Sequence, residues 1–447
     1  MFKIQPPSLR AAAQKEYICL LLILLLSIAI RIFYSSLTDY SGLGPSGQGD
    51  QHYYFSTALS IRESTQYLYN GIDSFYRPPL YSYFISLFYS QQDSTWVRNI
   101  VFAQSLLTYA SSGCFFIALR GIVSFGARLA WLGIWLISPF SFFGDSVSLP
   151  ESVYTSLLLL VLFLCLLVGN HIKHVFFNYI LYALIGALLG VIALTREIFI
   201  LYPFLLFPTL CYWKGYHFLR SLRLLFVTFI LMLLTISPWI VRNYQILPNS
   251  PPFISKGISG GSLFTGTWLS GKNEWTNRYN RELPRKAFEL TSFDPTFVAA
   301  AHKKGDDETL RKVAIDAIVN HPYKVAMNWL TRCVDMWVGT RSDLITLKIP
   351  RHTFPWLLLK TSLFLFNFII LIGSFISIVF YVFFQKSRWA LLLASLPIYN
   401  FFIYLPFYNI ETRYSHPALP VLFLFFVLMT RRLLLQRAWK THPISSH

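Results

Sequence analysis

Two acidic residues stand where a substrate could reach them. Asp50 follows the stretch 47–49, Gly-Gln-Gly, and this flexible approach lets a substrate come close to the carboxylate. Glu151 follows Pro150 and directly precedes a long apolar run. An ionisable group at the hydrocarbon edge is costly and is usually retained for function. Catalytic roles are therefore predicted for both; the structural alternatives are a helix N-cap at Asp50 and a first-turn helix charge at Glu151.

Four arginines at the outer edge come from segments that are distant in sequence. Arg77 precedes Pro78-Pro79, Arg242 ends the seventh run, and Arg196 and Arg413 lie between consecutive runs. A planar guanidinium binds phosphate oxygens through paired hydrogen bonds and stays charged when partly desolvated. Each arginine alone is typical of an interface anchor, or of a partner for a nearby acid such as Glu197 or Glu411. Together the four predict a site for a phosphate at the lipid surface.

Motifs for several other chemistries are missing from the sequence. It has no glycine-rich phosphate loop, no Gly-x-Ser-x-Gly elbow and no pair of outer histidines at a metal-ligand spacing. Its five cysteines are scattered and give no disulfide framework. The sequence thus predicts no nucleotide cradle, histidine metal site or thiolate metal site.

The composition is that of an integral membrane protein. Of 447 residues, 55% are hydrophobic and only 13% are charged, whereas charged residues make up about a quarter of a soluble protein. The lipid bilayer is therefore a partner of most of the chain. The excess of 38 Lys and Arg over 20 Asp and Glu is interpreted by membrane side, and no nucleic-acid partner is inferred from it.

Ten apolar runs predict about ten membrane spans in an all-α polytopic bundle. The runs cover residues 17–33, 101–119, 129–143, 152–169, 176–194, 198–213, 224–240, 361–384, 389–406 and 417–430.

The connections on one side of these spans are basic and contain one acid, Glu16. By the positive-inside rule both termini are cytoplasmic, and the other 19 of the 20 acidic residues lie on or near the opposite side. The first run ends at Arg31 without a small-residue cleavage site, which predicts an uncleaved signal anchor.

Two outer segments are long, and they divide the chain into three parts. Residues 1–241 form a membrane core whose first outer loop, 34–100, includes the interfacial stretch 81–89. Residues 242–353 form a small outer loop domain, helical from 306 to 338. Its apolar positions have a helical spacing: Leu310, Val313, Ala314 and Ala317. Residues 354–447 form the C-terminal spans and cytoplasmic tail.

The order of the outer motifs resembles that of polyprenyl-phosphate-sugar dependent glycosyltransferases of the GT-C fold. The most similar branch is that of bacterial protein mannosyltransferases and lipid A aminoarabinose transferases. The resemblance spans nearly the whole chain and rests on Asp50, Arg77-Pro78-Pro79-Leu80-Tyr81, Pro150-Glu151, Leu194-Thr195-Arg196, Pro238-Trp239-Ile240-Val241-Arg242-Asn243-Tyr244 and Glu411-Thr412-Arg413-Tyr414.

The resemblance implies an inverting transfer of one sugar from a polyprenyl-phosphate donor. The acceptor would be a periplasmic or outer-leaflet lipid, glycan or protein, and the enzyme would lie in the bacterial inner membrane with a periplasmic active site. Asp50 and Glu151 match the catalytic acids. The donor phosphate would face Arg77, Arg196, Arg242 and Arg413. Substrate-binding positions are His52, Tyr81, Glu411 and Tyr414.

Two departures from the family pattern matter. Arg77 stands where aminoarabinose transferases have Lys, and this changes the hydrogen-bond geometry toward the donor. The acid pair of the protein mannosyltransferases is here Asp50-Gln51, which weakens a protein-mannosylation reading. No cofactor is required by the sequence, and a divalent ion between Asp50 and Glu151 rests on the resemblance alone.

Two other functions are alternatives. An O-antigen polymerase or ligase also uses lipid-phosphate sugars, and in such an enzyme Asp50 should be dispensable. A polytopic transporter or flippase would place polar residues at the midplane on broken helices, often in repeated halves. The predicted span centres carry almost no charge and the halves do not match, although the sixth and seventh runs contain Pro203, Pro208 and Pro238.

Overall fold

The computed structural model is almost entirely helical. It describes residues 7–38, 50–89, 96–170, 175–248, 254–255, 260–269, 285–304, 306–339, 349–350, 353–406 and 411–441. The helices in chain order are α1 Pro7–Leu37, α2 Asp50–Ser64, α3 Leu80–Ser86, α4 Trp96–Ala118, α5 Phe125–Ile137, α6 Pro139–Ser146, α7 Glu151–Asn170, α8 Val175–Thr195, α9 Pro203–Lys214, α10 Phe218–Ile246, α11 Gly260–Trp268, α12 Pro295–Lys304, α13 Asp307–Asn320, α14 Pro322–Val338, α15 Phe354–Val379, α16 Arg388–Ile403 and α17 Leu419–Thr441.

Seven helices in the described part of the chain are long and apolar enough to cross a membrane, or eight if the bent pair α5–α6 is one span. The expected ten spans are therefore not all confirmed. The three doubtful runs are interrupted or short. Pro139 begins α6 at a 46° bend, α9 has 12 residues and α16 has 16. At 1.5 Å per residue, α9 and α16 reach only about 18 and 24 Å, less than the roughly 30 Å hydrocarbon core.

Close helix contacts at small residues hold the bundle together. Helices α8 and α10 meet at Gly186, where an added Cβ would lie 2.2 Å from the carbonyl oxygen of Thr228. The hydroxyl of Thr228 donates to the carbonyl of Tyr182 at 2.9 Å in the same contact. Backbones that approach this closely gain van der Waals contact, the main attraction between helices in lipid. This contact holds α8, which leads to Arg196, against α10.

A short hairpin follows α2. Strands β1 Leu68–Tyr69 and β2 Ile72–Asp73 pair antiparallel across the two-residue turn Asn70-Gly71. Both turn residues have positive φ, 52° and 77°, as an Asn-Gly hairpin turn requires. The hairpin leads to the Arg77-Pro78-Pro79 segment and then to α3. The interfacial stretch predicted at 81–89 is thus the helix Leu80–Ser86.

The predicted outer loop domain contains its own small helical core. The four positions with helical spacing, Leu310, Val313, Ala314 and Ala317, are all buried there, together with Phe264 and Trp268 of α11. The predicted helix 306–338 is two helices, because Pro322 begins α14 after a break at His321. The predicted boundary at 242 falls inside α10, which continues to Ile246.

Candidate active site

Asp50 lies at the first position of α2 and is clamped by two arginines. Its Oδ1 accepts from Nη2 of Arg77 at 2.5 Å, and its Oδ2 accepts from Nη2 of Arg413 at 2.8 Å. The three residues are 27 and 363 positions apart in the chain, so the tertiary fold brings them together. Asp50 is therefore the centre of a buried ion network as well as the start of a helix.

The clamp controls the ionisation of Asp50. Burial alone would raise the pKa of its carboxyl, but the guanidiniums of Arg77, Arg413 and Arg196 outweigh burial and hold that pKa well below its usual range. For Arg77, burial alone would lower the pKa, and the carboxylate of Asp50 more than reverses this and raises it. Both groups stay charged at neutral pH.

Arg413 joins Asp50 to two further carboxylates. Its Nε forms an ion pair with Glu411 and lies 3.7 Å from Oε1 of Glu151. Glu151 is fully buried at the start of α7, and neither of its carboxylate oxygens accepts a hydrogen bond within the described residues. A buried carboxylate without such partners is costly, and here Arg413 supplies the nearest balancing charge.

Arg196 completes the group beside an aromatic layer. It follows the end of α8, and its guanidinium lies 4.5 Å from the ring centre of Tyr414. Tyr414 in turn stacks on Tyr404 with ring centres 4.9 Å apart. We call Asp50, Glu151, Glu411, Arg77, Arg196 and Arg413 the charge cluster. It contains three guanidiniums and three carboxyl groups.

The other predicted site residues lie in different surroundings. Arg242 pairs with Asp73 at 2.7 Å and donates to the carbonyls of Tyr67 and Ser74. This pairing accounts for its charge at the hairpin, and its role in donor binding stays a prediction.

Two further residues predicted to bind substrate, Tyr81 and His52, contact neighbours outside the charge cluster. Tyr81 is fully buried, and its hydroxyl donates to the Gln104 side chain at 2.7 Å. His52 has its ring edge-on to Tyr69, 5.9 Å away. Substrate contact by either residue stays a prediction.

Sequence reasoning missed two features near the charge cluster. Tyr54 is fully buried one helical turn after Asp50, and its hydroxyl has no hydrogen-bond partner among the described residues. The i, i+4 spacing on α2 was a usable signal. The second feature is a buried ion pair, Arg31 with Asp145 at 3.0 Å. No sequence pattern links these two residues, which are 114 positions apart.

The charge cluster does not fit the divalent ion suggested for Asp50 and Glu151. Both oxygens of Asp50 accept from guanidiniums, and one of these arginines, Arg413, is also the cation 3.7 Å from Glu151. A cation ligand set usually gathers several oxygens with few competing positive charges. Among the described residues, no group of three or more His, Cys, Asp or Glu side chains is placed to hold a metal.

Comparison with known proteins yields structural likeness only. No protein-family model matches the sequence, and no curated protein sequence matches it. The fold is similar to that of the Archaeoglobus fulgidus oligosaccharyltransferase AglB, solved with an inhibitory peptide and a dolichol-phosphate. The TM-score is 0.53 at 14% identity, covering 97% of this chain and 52% of the other. The apo form of the A. fulgidus oligosaccharyltransferase gives a TM-score of 0.54 at 14% identity, with the same coverage.

A second similar structure is that of ArnT from Cupriavidus metallidurans bound to undecaprenyl phosphate. Its TM-score is 0.44 at 15% identity, covering 89% of this chain and 77% of the other. The chain spans about half the length of the oligosaccharyltransferase. The likeness to the oligosaccharyltransferase confirms the predicted polytopic GT-C fold.

Proposed function

We propose that this chain is a membrane glycosyltransferase that moves one sugar from a polyprenyl-phosphate donor to an acceptor at the periplasmic surface, with inversion. The observation that carries the proposal is the charge cluster, in which Asp50 is held by Arg77 and Arg413. A lipid phosphate leaving group needs buried positive charge, and an acceptor hydroxyl needs a carboxylate at the same place. The charge cluster supplies both.

Donor binding would exchange one anion for another. Asp50 already pairs with Arg77 and Arg413, so a phosphodiester entering the charge cluster competes with Asp50 for these two guanidiniums. As the bond from the sugar to the phosphate oxygen breaks, the leaving phosphate gains a second negative charge. Guanidiniums already fixed beside it stabilise that charge without reorganising.

The same exchange would prepare the base. While clamped, Asp50 is a weak proton acceptor, because its pKa lies well below the usual range. Transfer of the guanidiniums to the donor phosphate removes the stabilisation of the carboxylate, so the pKa of Asp50 rises. Asp50 then takes the proton from the acceptor hydroxyl as the hydroxyl oxygen attacks the sugar. Glu151 holds Arg413 from the buried side during this exchange.

A cavity lined by Arg242 supports a lipid-linked donor. It has a volume of about 550 Å³, and its apolar lining includes Leu80, Leu194 and Trp239. Arg242 pairs there with Asp73, which also lines the cavity. A cavity with apolar walls and an arginine suits the phosphate end of an isoprenoid chain. The dolichol-phosphate in the AglB structure supports the same substrate class.

The test is turnover by the purified full chain in liposomes. Radiolabelled polyprenyl-phosphate sugars are supplied together with a panel of lipid, glycan and peptide acceptors. We expect loss of sugar from one donor, and a loss of rate by about a hundredfold or more in Asp50→Asn and Arg77→Ala. Glu308→Gln is the matched control, because Glu308 forms an exposed pair with Lys312 on α13.

Two results would reject the proposal. One is that no lipid-linked sugar is consumed under any condition while thermal melting shows a folded protein. The other is that Asp50→Asn turns over as fast as the wild type, which is the behaviour expected of a polymerase-type enzyme.

A further inference from the structure

Helix α14 has an apolar stripe on its outer face. Its members follow an i, i+4, i+7, i+11 spacing and therefore share one side of the helix. They are well exposed: Tyr323 by 76%, Met327 by 45%, Leu330 by 48% and Val334 by 59%. Between Tyr323 and Val334 the stripe is about 16 Å long. Such a face is unfavourable in water.

The inner face of α14 is held by hydrogen bonds to neighbouring backbone carbonyls. The amide of Asn328 donates to the carbonyl of Thr267 at 2.9 Å, and the indole of Trp329 donates to the carbonyl of Gly266 at 3.0 Å. Arg332 is buried and donates to the carbonyls of Gly266 and Leu405 at 2.8 and 2.9 Å. The same side of the helix buries Val325, Cys333 and Met336, so α14 is held inward by polar and apolar contacts while the apolar stripe stays outside.

The end of α14 is buried against the membrane-spanning part of the bundle. The amide of Asn367, in α15, donates to the carbonyl of Trp337 at 2.6 Å. The Trp337 ring stacks on Phe401 of α16, with centres 6.2 Å apart. Met336 belongs to the same buried core. The C-terminal end of α14 thus lies at the level of Asn367.

That level can be placed relative to the bilayer. The span Phe354–Phe384 has 31 residues and is about 46 Å long, roughly 16 Å more than the hydrocarbon core. Asn367 lies about 20 Å along the helix from Phe354. Even if all the excess length projects at the Phe354 end, Asn367 is inside the hydrocarbon layer. Neighbouring Leu365 and Ile369 are exposed, as lipid-facing residues are.

We infer that α14 enters the bilayer leaflet and that its outer stripe binds lipid acyl chains. The deepest stripe residue, Val334, lies one turn from Trp337. Tyr323 lies about 21 Å from Trp337 along the helix, where an aromatic ring and the adjacent Lys324 ammonium suit the headgroup region. A lipid occupant is favoured over a protein because α14 packs on α15 at Asn367, where the neighbouring Leu365 and Ile369 are exposed apolar residues of a membrane span. This inference is independent of the proposed function.

The experiment measures the depth of single spin labels on the full chain in phosphatidylcholine nanodiscs. Nitroxides are attached at Leu330→Cys and Val334→Cys, with Lys312→Cys on the exposed charged face of α13 as the matched control. Cys19, Cys114 and Cys211 are replaced by serine, whereas the buried Cys165 and Cys333 are kept. Collision with oxygen reports lipid, and collision with a water-soluble nickel chelate reports water.

We expect the oxygen-to-nickel accessibility ratio to exceed one at Leu330 and Val334 and to fall below one at Lys312. Ratios at Leu330 and Val334 that match Lys312 would mean a water-exposed stripe and would overturn the inference. Protection of Leu330 and Val334 from both reagents would also overturn it, because the stripe would then be covered by protein.

Discussion

At the scale of single residues, the site depends on one guanidinium shared by three acids. Arg413 contacts Asp50 and Glu411, and its Nε lies 3.7 Å from Glu151. A planar group with five donors along its edges can serve several carboxylates at fixed angles, whereas an ammonium is a compact point charge. The geometry of Arg413, and not only its charge, therefore organises the charge cluster.

Arg413→Lys should keep the positive charge but lose the simultaneous contacts with Asp50, Glu411 and Glu151. We expect donor turnover to fall by at least about tenfold and the melting temperature to drop, because Glu151 or Asp50 is left without its partner. The measurements are lipid-sugar turnover and thermal melting in the same detergent. Arg285→Lys, in an exposed pair with Glu289, is the control. Equal behaviour of the two variants would show that shape at Arg413 is unimportant.

The clamp on Asp50 has a defined pH signature. Its pKa is lowered on folding, so the stability it contributes is complete above the unfolded-state pKa of about 3.9 and is lost as pH falls further. The difference in melting temperature between wild type and Asp50→Asn should be constant from about pH 5 to 8 and shrink below about pH 4. A difference that shrinks near pH 6 would contradict the clamp.

At the scale of elements, the sequence predicts where helices lie better than where they break. Apolar runs located the seven described helices that are long and apolar enough to cross a membrane, and the spacing in α13 identified its buried face. The runs did not show the break before Pro203, which leaves α9 too short to cross the bilayer. Hydrophobicity averaged along the chain does not reveal such a break, because a proline that interrupts a helix is about as apolar as the leucine and phenylalanine residues around it.

The α8–α10 contact allows an element-scale test. Gly186→Ala places a Cβ against the backbone of Thr228, so the two helices must separate. We expect a loss of about 1–3 kcal/mol in the free energy of unfolding and slower turnover, since α8 leads to Arg196. Gly113 in α4 faces open space, and Gly113→Ala should be neutral or stabilising by up to about 1 kcal/mol. The free energy of unfolding of both variants is measured with denaturant in mixed micelles. An equal loss of stability in Gly186→Ala and Gly113→Ala would contradict a special role for the α8–α10 contact.

At the scale of the whole molecule, the sequence indicated which segments approach one another but not which side chains pair. Four arginines were predicted to share one site, and Arg77, Arg196 and Arg413 join the charge cluster. Arg242 instead pairs with Asp73, because the hairpin 68–73 places a carboxylate beside α10. Hydropathy cannot reveal that choice, which depends on how the loop folds back.

The two ends of the bundle differ in charge, and this predicts orientation. The charge cluster lies where α8 ends and α7 begins, whereas the end at which α9 stops and α10 begins is basic. There Arg220 lies over Tyr216, and Arg388 lies over Tyr212. By the positive-inside rule we propose that this basic end is cytoplasmic.

A membrane-impermeant maleimide applied to intact cells should therefore label Lys303→Cys on α12 and spare Gln385→Cys, which follows the span Phe354–Phe384. Both variants are made in the background without Cys19, Cys114 and Cys211. Permeabilised cells, in which both positions should react, are the control. The reverse pattern would place Asp50 on the cytoplasmic side, where a donor made in the cytoplasm needs no transfer across the membrane. The side of the membrane on which Asp50 lies therefore decides whether the sugar donor must be carried across the membrane on a lipid.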